Sequence, residues 1–176
     1  MKAWKRFGDD RRTRIGRREI VERTFRESGG GSIDFALYLE RHTVCTLVVT
    51  ASNLVILTRQ FRPGPEMYLD ELPGGAIEDD ELPEEAAQRE TLEEVGYTGE
   101  LISLGQSFSC AYSTRTRYHF LMRNATQVGD PCGDADEREQ GTLVVLKDRK
   151  AFTQQVASGL LTDGETALRA MRQLGW

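Results

Sequence analysis

The sequence predicts a domain of the α/β class, and three observations support that prediction. Two apolar runs rich in β-branched residues, Val44–Thr50 and Leu54–Gln60, are typical of neighbouring buried strands. The segment from Pro83 to Gly96 has the preferences of a helix, with proline at its first position and glycine just past its end. Apolar residues at helical spacing within Asp163–Leu174 predict another helix near the C-terminus.

Length and composition indicate an ordinary water-exposed domain. The 176 residues suit one domain with a well-buried core, and 39% hydrophobic and 29% charged residues are typical values. A pI near 5.2 argues against a nucleic-acid-binding surface over the whole molecule. The N-terminus lacks the apolar segment of a signal peptide, and no apolar run approaches the ~20 residues that span a bilayer. We therefore expect a cytoplasmic protein without a membrane partner.

The three cysteines agree with that location. Cys45, Cys110 and Cys132 are an odd number and have no paired spacing. They are therefore interpreted as reduced thiols, and neither a disulfide framework nor a zinc site is predicted.

The N-terminal segment differs from the rest of the chain in charge. Up to residue 28 it carries ten bases and five acids, a formal +5, which leaves −10 for the remainder. This segment is predicted to be irregular except for a strand at Glu19–Arg26, which forms a hairpin with the alternating run Ser32–Leu39. A basic arm suits docking on an acidic partner subunit, and nucleic-acid contact is the alternative. We divide the chain into the arm and hairpin, residues 1–40, and a main domain, residues 41–176.

The densest charge lies just before and within the predicted helix that begins at Pro83. Between Glu78 and Glu94 there are nine acids and one base, a local charge of −8 in seventeen residues. Glu90 and Glu94 lie on one helix face, and neither has a basic residue at the spacing that lets Glu85 and Glu93 pair with Arg89. Carboxylates without counter-charge suit a hard divalent cation, whereas the alternative is a solvated acidic surface.

The order of residues in this stretch resembles the signature of the Nudix hydrolases. The resemblance rests on seven positions in a 23-residue window: Gly75, Glu81, Arg89, Glu90, Glu93, Glu94 and Gly96. Thr91 and Tyr97 depart from the aliphatic residues that are commoner there, and both are expected to pack rather than to take part in the chemistry.

The resemblance implies a mixed sheet sandwiched between helices, with the signature as a loop–helix–loop. It implies a pyrophosphatase that uses Mg²⁺, with Mn²⁺ as a substitute. The metal ligands would be Glu90, Glu94 and the carbonyl of Gly74. Glu93 would share or support that metal site, and Glu81 would approach it or orient the loop. Arg89 would hold the helix glutamates in position.

Segments on either side of the signature resemble one branch of that family, the ADP-ribose pyrophosphatases and related nucleotide-sugar hydrolases. The carrying segments are Arg59–Pro63 and Glu71–Gly75. Arg62, beside a proline turn, is either a surface charge or a ligand of a substrate phosphate, since a guanidinium binds two oxygens at once. Arg59 is a further candidate for contact with the substrate. Tyr112 either stacks on a base or packs within its loop. In the connector Phe108–Arg115 the proline and the acid common in that branch are both missing. ADP-ribose, GDP-mannose and another nucleotide sugar therefore stay open as substrates.

Further elements complete the expected fold. They are strands at Leu101–Ser107, Arg117–Arg123 and Thr142–Leu146, and a helix at Lys150–Ala157.

The polar loop before the last strand contains Asp136, Glu137 and Glu139. In the resembling branch an acid of that loop is a metal ligand or general base, and Glu137 and Glu139 are the candidates. The same branch often exchanges an N-terminal hairpin between two subunits, which implies a homodimer. The alternative functions are a catalytically silent nucleotide sensor and a nucleoside triphosphate pyrophosphatase.

Overall fold

The computed structural model describes residues 3–132 and 143–176 of the chain, which form two compact units. The first unit contains the chain up to His42 together with Ser107–Arg117, and the second contains Thr43–Gln106 and Tyr118–Trp176. In chain order the described elements are β1 (Trp4–Ile15), β2 (Arg18–Glu27), β3 (Ser32–Leu39), β4 (Thr43–Thr50), β5 (Val55–Arg62), β6 (Met67–Glu71), α1 (Pro83–Val95), β7 (Tyr97–Phe108), β8 (Thr116–Gln127), β9 (Leu143–Lys147), α2 (Arg149–Ser158) and α3 (Gly164–Leu174).

The first unit is an antiparallel sheet in the order β1-β2-β3. The predicted hairpin of β2 and β3 is present, but the prediction of an irregular N-terminus was wrong, because β1 is a twelve-residue strand. Nearly all of β1 is exposed, so it lacks the apolar alternation that predicts a strand. Its backbone pairs with β2, and cross-strand ion pairs support that pairing, such as the two-bond contact of Arg23 with Asp10.

The connection between β7 and β8 adds to the same unit. The N–H of Tyr38 donates to the carbonyl of Tyr112 at 2.8 Å, and the N–H of Thr114 donates back to the carbonyl of Tyr38 at 3.0 Å. The hydroxyl of Ser113 donates to the carboxylate of Glu40 at 2.7 Å. These bonds explain why residues 107–117 belong to the N-terminal unit although they lie far along the chain.

The second unit is a six-stranded sheet with the path β6-β5-β4-β8-β7, in which β9 also pairs with β5. Alternate residues of β4 are buried on opposite faces of this sheet. Val44 and Val48 belong to clusters that contain α1 residues, whereas Leu47 and Val49 pack with Phe152 of α2 and with residues of α3. Burial on both faces explains the unbroken apolar run of β4. The predicted layering, helices on both faces of a sheet, is confirmed.

The remaining predictions for this unit agree with the structure to within a few residues. Thr91 and Tyr97 are buried, as expected for packing positions. All three cysteines are free thiols, Cys45 buried and the other two exposed. None of the helices in the described ranges combines the length and the apolar character needed to cross a membrane.

Candidate active site

The glycine-rich loop that precedes α1 is held against β4 by backbone hydrogen bonds. The N–H groups of Val44 and Thr46 donate to the carbonyls of Gly75 and Pro73, each at 2.9 Å. Ala76 then forms an antiparallel bridge with the first residue of β4. The loop therefore runs as an additional short strand beside the buried centre of the sheet, and β4 determines its position.

Helix α1 begins and ends as the sequence predicts. Pro83 occupies its first position, and Gly96, with φ 74°, ends it by donating to the carbonyl of Leu92 at 2.9 Å. Glu85 does not use the predicted partner Arg89, because its Oε2 accepts the N–H of Leu82 at 3.0 Å. That contact satisfies one of the donors left over in the first turn of the helix.

Arg89 binds three carboxylates and one carbonyl. Its Nε and Nη2 reach the two oxygens of Glu81 at 2.8 and 2.9 Å, and Nη1 donates to Glu90 at 2.8 Å and Glu93 at 3.1 Å. Nη2 also donates to the carbonyl of Ala76 at 3.1 Å. These five bonds match the five N–H donors of a guanidinium. The hydrogen bond with Glu81 raises the pKa of Arg89 further above its ordinary value.

This arrangement corrects the expectation that Glu90 lacks a basic partner. The helix-spacing argument considered residues four apart, whereas the long side chain of Arg89 reaches the carboxylate of its immediate neighbour. Glu81 accepts two of the five hydrogen bonds of Arg89, and its Oε2 also accepts the N–H of Glu78 at 2.9 Å. Glu81 therefore joins the loop to the helix.

The two glycines of the loop are the points where α1 carboxylates come close to the backbone. Glu94 is only 5% exposed, and its Oε2 accepts the N–H of Gly74 at 3.1 Å. Gly75 lies so close to Glu90 that an added Cβ would be 2.5 Å from the Glu90 Cδ. Glu90 and Glu94 are thus both brought to the same loop, on the face of α1 that their four-residue spacing predicts.

Alanine substitutions at the two glycines are expected to have different effects. A Cβ at Gly74 would be 2.9 Å from the Cα of Cys45 in the fixed backbone of β4, so Gly74→Ala should lower the free energy of unfolding by about 1–3 kcal/mol. At Gly75 the added carbon meets a side chain that can move, so Gly75→Ala should displace Glu90 and reduce turnover with little loss of stability. Urea denaturation and an activity assay on both variants check this, and equal destabilisation would contradict it.

The donor set of the loop and helix fits a hard divalent cation. Among the residues that the structure describes, no three acidic, histidine or cysteine side chains converge as a complete metal site. Mg²⁺ usually needs only one or two carboxylates, because water and substrate phosphates complete its six ligands. Glu90 and Glu94 supply such a pair, and the carbonyl of Gly74, the third predicted ligand, is in the adjoining loop.

Arg59 is held on a different face of the sheet from α1. On β5, Leu57 belongs to the cluster of α2 and α3, whereas Ile56 packs with Val95 of α1. Arg59 follows Leu57 in this alternation and binds Asp70 through Nε at 2.6 Å and Nη2 at 2.9 Å. The geometry therefore places Arg59 on the α2 side of the sheet, and its predicted contact with the substrate stays a prediction.

Asp70 is expected to stabilise the fold in a pH-dependent manner. Its hydrogen bond from Arg59 holds the pKa of this carboxyl below its usual range, and Lys147 contributes at 2.7 Å. A depressed pKa stabilises the fold above the unfolded value and ceases to do so as the pH falls through the folded value. Asp70→Asn should therefore cost about 1–2 kcal/mol at neutral pH, and the difference from wild type should shrink below about pH 4.

Urea denaturation at a series of pH values measures that difference. Asp9→Asn, at an exposed position of β1, is the matched control and should leave the curve unchanged. A gap between wild type and Asp70→Asn that stays constant down to acidic pH would contradict the prediction.

Arg62 is held by a buried acid that sequence reasoning did not single out. Its Nε donates to Glu71, which is 3% exposed and also accepts the hydroxyl of Thr162. The Arg62 side chain is 43% exposed, so part of the guanidinium faces solvent. The sequence resemblance included Glu71 as part of the Glu-Leu-Pro motif but assigned it no role, and its contacts with Arg62 and Thr162 depend on the fold.

Tyr112 lies in the first unit and is 53% exposed. Its ring centroid is 6.4 Å from that of Phe35, which in turn is in edge contact with Phe25 at 5.8 Å. Tyr112 is therefore the exposed end of a row of three aromatic rings.

The predicted loop acids Asp136, Glu137 and Glu139 lie outside the described residues, so their roles stay predictions. Before that segment the chain is attached to α1: the N–H of Cys132 donates to the carbonyl of Glu93 at 2.8 Å, and the N–H of Val128 donates to that of Gly96 at 2.9 Å.

Comparison with known proteins identifies relatives of the region that contains this site. Residues 40–139 match the model of the NUDIX domain. The chain is 57% identical over 47 residues to an ADP-sugar pyrophosphatase of Mus musculus, a match that covers 27% of this chain and 22% of that protein. It is 40% identical over 60 residues to an ADP-ribose pyrophosphatase of Bacillus subtilis (strain 168), covering 34% of this chain and 32% of that protein. The matches thus span a third or less of these curated relatives.

A solved structure extends the likeness of fold to almost the whole chain. The crystal structure of an ADP compounds hydrolase superposes with a TM-score of 0.76, covering 97% of this chain and 95% of the other. The sequence identity is 16%, so this likeness concerns the fold alone. It confirms the fold that the signature implied.

Proposed function

Because this chain belongs to the NUDIX domain family, we propose that it is a hydrolase that cleaves the diphosphate of ADP-ribose or another nucleotide sugar. The observation that carries the proposal is the loop–helix arrangement, in which Glu90 and Glu94 lie against two adjacent glycines of one loop and Arg89 binds Glu90. The names of the mouse and Bacillus relatives support the substrate class.

We propose Mg²⁺ as the cofactor, with Mn²⁺ as a substitute, held by Glu90, Glu94 and the carbonyl of Gly74. When bound, the ion would neutralise the phosphate oxygens and stabilise the leaving phosphate. Glu93 is the most exposed of the acids bound to Arg89, at 41%, so it is available to a water or to a further ion. Glu137 or Glu139 is the proposed general base, and a location in the cytoplasm agrees with the three free thiols.

Arg62 and Tyr112 are the proposed substrate contacts. Glu71 accepts the Nε–H of Arg62, which among the described residues leaves the two terminal nitrogens for phosphate oxygens, and a guanidinium binds two of these at once. Tyr112 offers an exposed ring to a base.

A phosphate-release screen tests this proposal. The panel contains ADP-ribose, GDP-mannose, UDP-glucose, NADH, a diadenosine polyphosphate and nucleoside triphosphates, with Mg²⁺ and a phosphatase that acts only on the products. Strong release from a nucleotide sugar, absent in Glu94→Gln, is the expected result. Release from triphosphates alone would replace the substrate class, and silence with both Mg²⁺ and Mn²⁺ would favour a nucleotide sensor.

We also propose a homodimer formed through the N-terminal unit. β1 is an edge strand of twelve residues with exposed apolar side chains, Ile15 at 68% and Phe7 at 48%, and such edges readily pair with another chain. Light scattering should give the mass of two chains, and Ile15→Glu should shift it towards one. Leu168→Glu, at a comparably exposed site on α3, is the control. A monomeric wild type would refute the dimer.

A further inference from the structure

A pocket on the α2 side of the sheet has no part in the proposed reaction. Its volume is about 550 Å³, within the ~300–1,000 Å³ range of small-molecule sites. It is lined by parts of β5, β6 and β9, by α2 and by the segment that follows α2. None of the carboxylates bound to Arg89 lines it, and the alternation of β5 places it on the face opposite α1.

The polar floor of this pocket carries a net positive charge. Asp70 is 8% exposed and is bound by both Arg59 and Lys147, so one carboxylate faces two cations. Arg59 remains 45% exposed, and among the described residues it donates hydrogen bonds to Asp70 alone, through Nε and through one hydrogen of Nη2. Within the described chain this leaves three guanidinium N–H groups for an anion.

Gln155 fixes the geometry of this floor. Its Nε2 donates to the carbonyl of Asp70 at 2.6 Å and to that of Leu160 at 3.0 Å, and its Oε1 accepts from Lys147 at 2.7 Å. The ammonium of Lys147 is thereby held between a side chain of α2 and one of β6. A site whose charges are positioned in advance loses less entropy when a ligand binds.

The rim is apolar and contains an exposed aromatic ring. Tyr68 is 62% exposed, Leu143 59%, Leu160 49% and Met67 40%, an unusual concentration around one opening. Tyr68 contacts Phe61 edge-on, with ring centroids 5.6 Å apart, so its position is supported by the neighbouring strand. An aromatic face beside a guanidinium suits a flat ring that carries an anionic group.

We infer that this pocket is a second binding site, for a small organic anion with a flat aromatic body, of the size of a nucleoside monophosphate. The anionic group would bind at Arg59 and Lys147, and the ring would lie against Tyr68. The inference does not depend on the proposed hydrolysis, because it uses the other face of the sheet and different residues.

Methionine methyl groups provide a test that involves no turnover. Of the four methionines, Met67 lines the pocket, whereas Met122 is fully buried in the cluster beneath α1. Protein labelled with ¹³C at the methionine methyls is titrated with AMP, adenosine or inorganic phosphate, without divalent metal. Met67→Leu assigns the reporter signal.

AMP is expected to shift the Met67 signal saturably and with higher affinity than either adenosine or phosphate. Arg59→Met should weaken this binding about tenfold or more, whereas Arg172→Met, the same change at an exposed site on α3, should not. If Arg59→Met lowers the melting temperature, Tyr68→Ala, at the exposed rim, replaces it and should also weaken binding.

Three results would overturn the inference. Met67 shifts that are kept in Arg59→Met but lost in Arg62→Met, the residue opposite Met67 on β5, would mean that AMP binds only on the other face of the sheet. Equal affinities for AMP and phosphate would reduce the pocket to a simple anion site. Unchanged AMP binding in a folded Arg59→Met variant would show that the Arg59 guanidinium does not bind the anion. A failed substrate screen would leave all three readouts intact.

Discussion

Glu94→Gln is expected to reduce turnover about a thousandfold or more while the melting temperature stays at the wild-type value. The amide oxygen of glutamine can still accept the N–H of Gly74, so the loop keeps its attachment to α1. The lost charge is the one proposed to hold the metal, and a bound ion contributes several kcal/mol to the transition state. Steady-state kinetics and thermal denaturation measure the two effects.

The control for this prediction lies on the same helix. Glu84→Gln changes an exposed acid in the first turn of α1 and should leave both kinetics and stability unchanged. Either a collapse of stability or near-normal activity in Glu94→Gln would remove Glu94 from the metal site.

Arg89→Met is expected to impair stability and activity together. The change leaves Glu81, Glu90 and Glu93 without the cation that they share, which should cost about 2–4 kcal/mol of unfolding free energy. Turnover should fall about 10–100-fold, as is usual when the residues that orient metal ligands are lost. Urea denaturation and kinetics on the same preparation give both numbers.

Arg89→Lys separates charge from geometry. Lysine keeps the positive charge but has three donors on one nitrogen and cannot form the two-bond contact with Glu81. We expect it to recover part of the stability and little of the activity. Full activity in Arg89→Lys would show that charge alone suffices, and Arg172→Met controls for the loss of an arginine elsewhere.

The parts of the fold that carry a strong local pattern could be predicted from the sequence. β4 and β5 are apolar because both of their faces are covered, and α1 has its proline, its acidic first turn and its terminal glycine. β1 could not be predicted, since a strand exposed on both faces has no apolar period and is held by ion pairs with residues on other strands. Its pairing is a property of the assembled sheet.

The site shows the same division. The spacing of Glu90 and Glu94 follows from helix geometry, so their common face could be predicted. Three contacts could not be predicted, because each depends on where a flexible side chain finds a partner. They are those of Arg89 with Glu90, of Arg62 with Glu71 and of Arg59 with Asp70. The motif alone led to the prediction that Arg59 contacts the substrate, and the bond with Asp70 on the α2 side of the sheet carried no signal in the sequence.

The attachment of the glycine-rich loop to β4 has a consequence for how this site could change during evolution. Because the loop is hydrogen-bonded to the buried strand β4, the core determines its shape, and substitutions on the surface around it should change that shape little. Residues elsewhere in the chain can then diverge while the geometry of this loop stays constant. Conversely, a change of side-chain volume at Cys45 or Leu47 should displace the loop and lower turnover before it unfolds the protein.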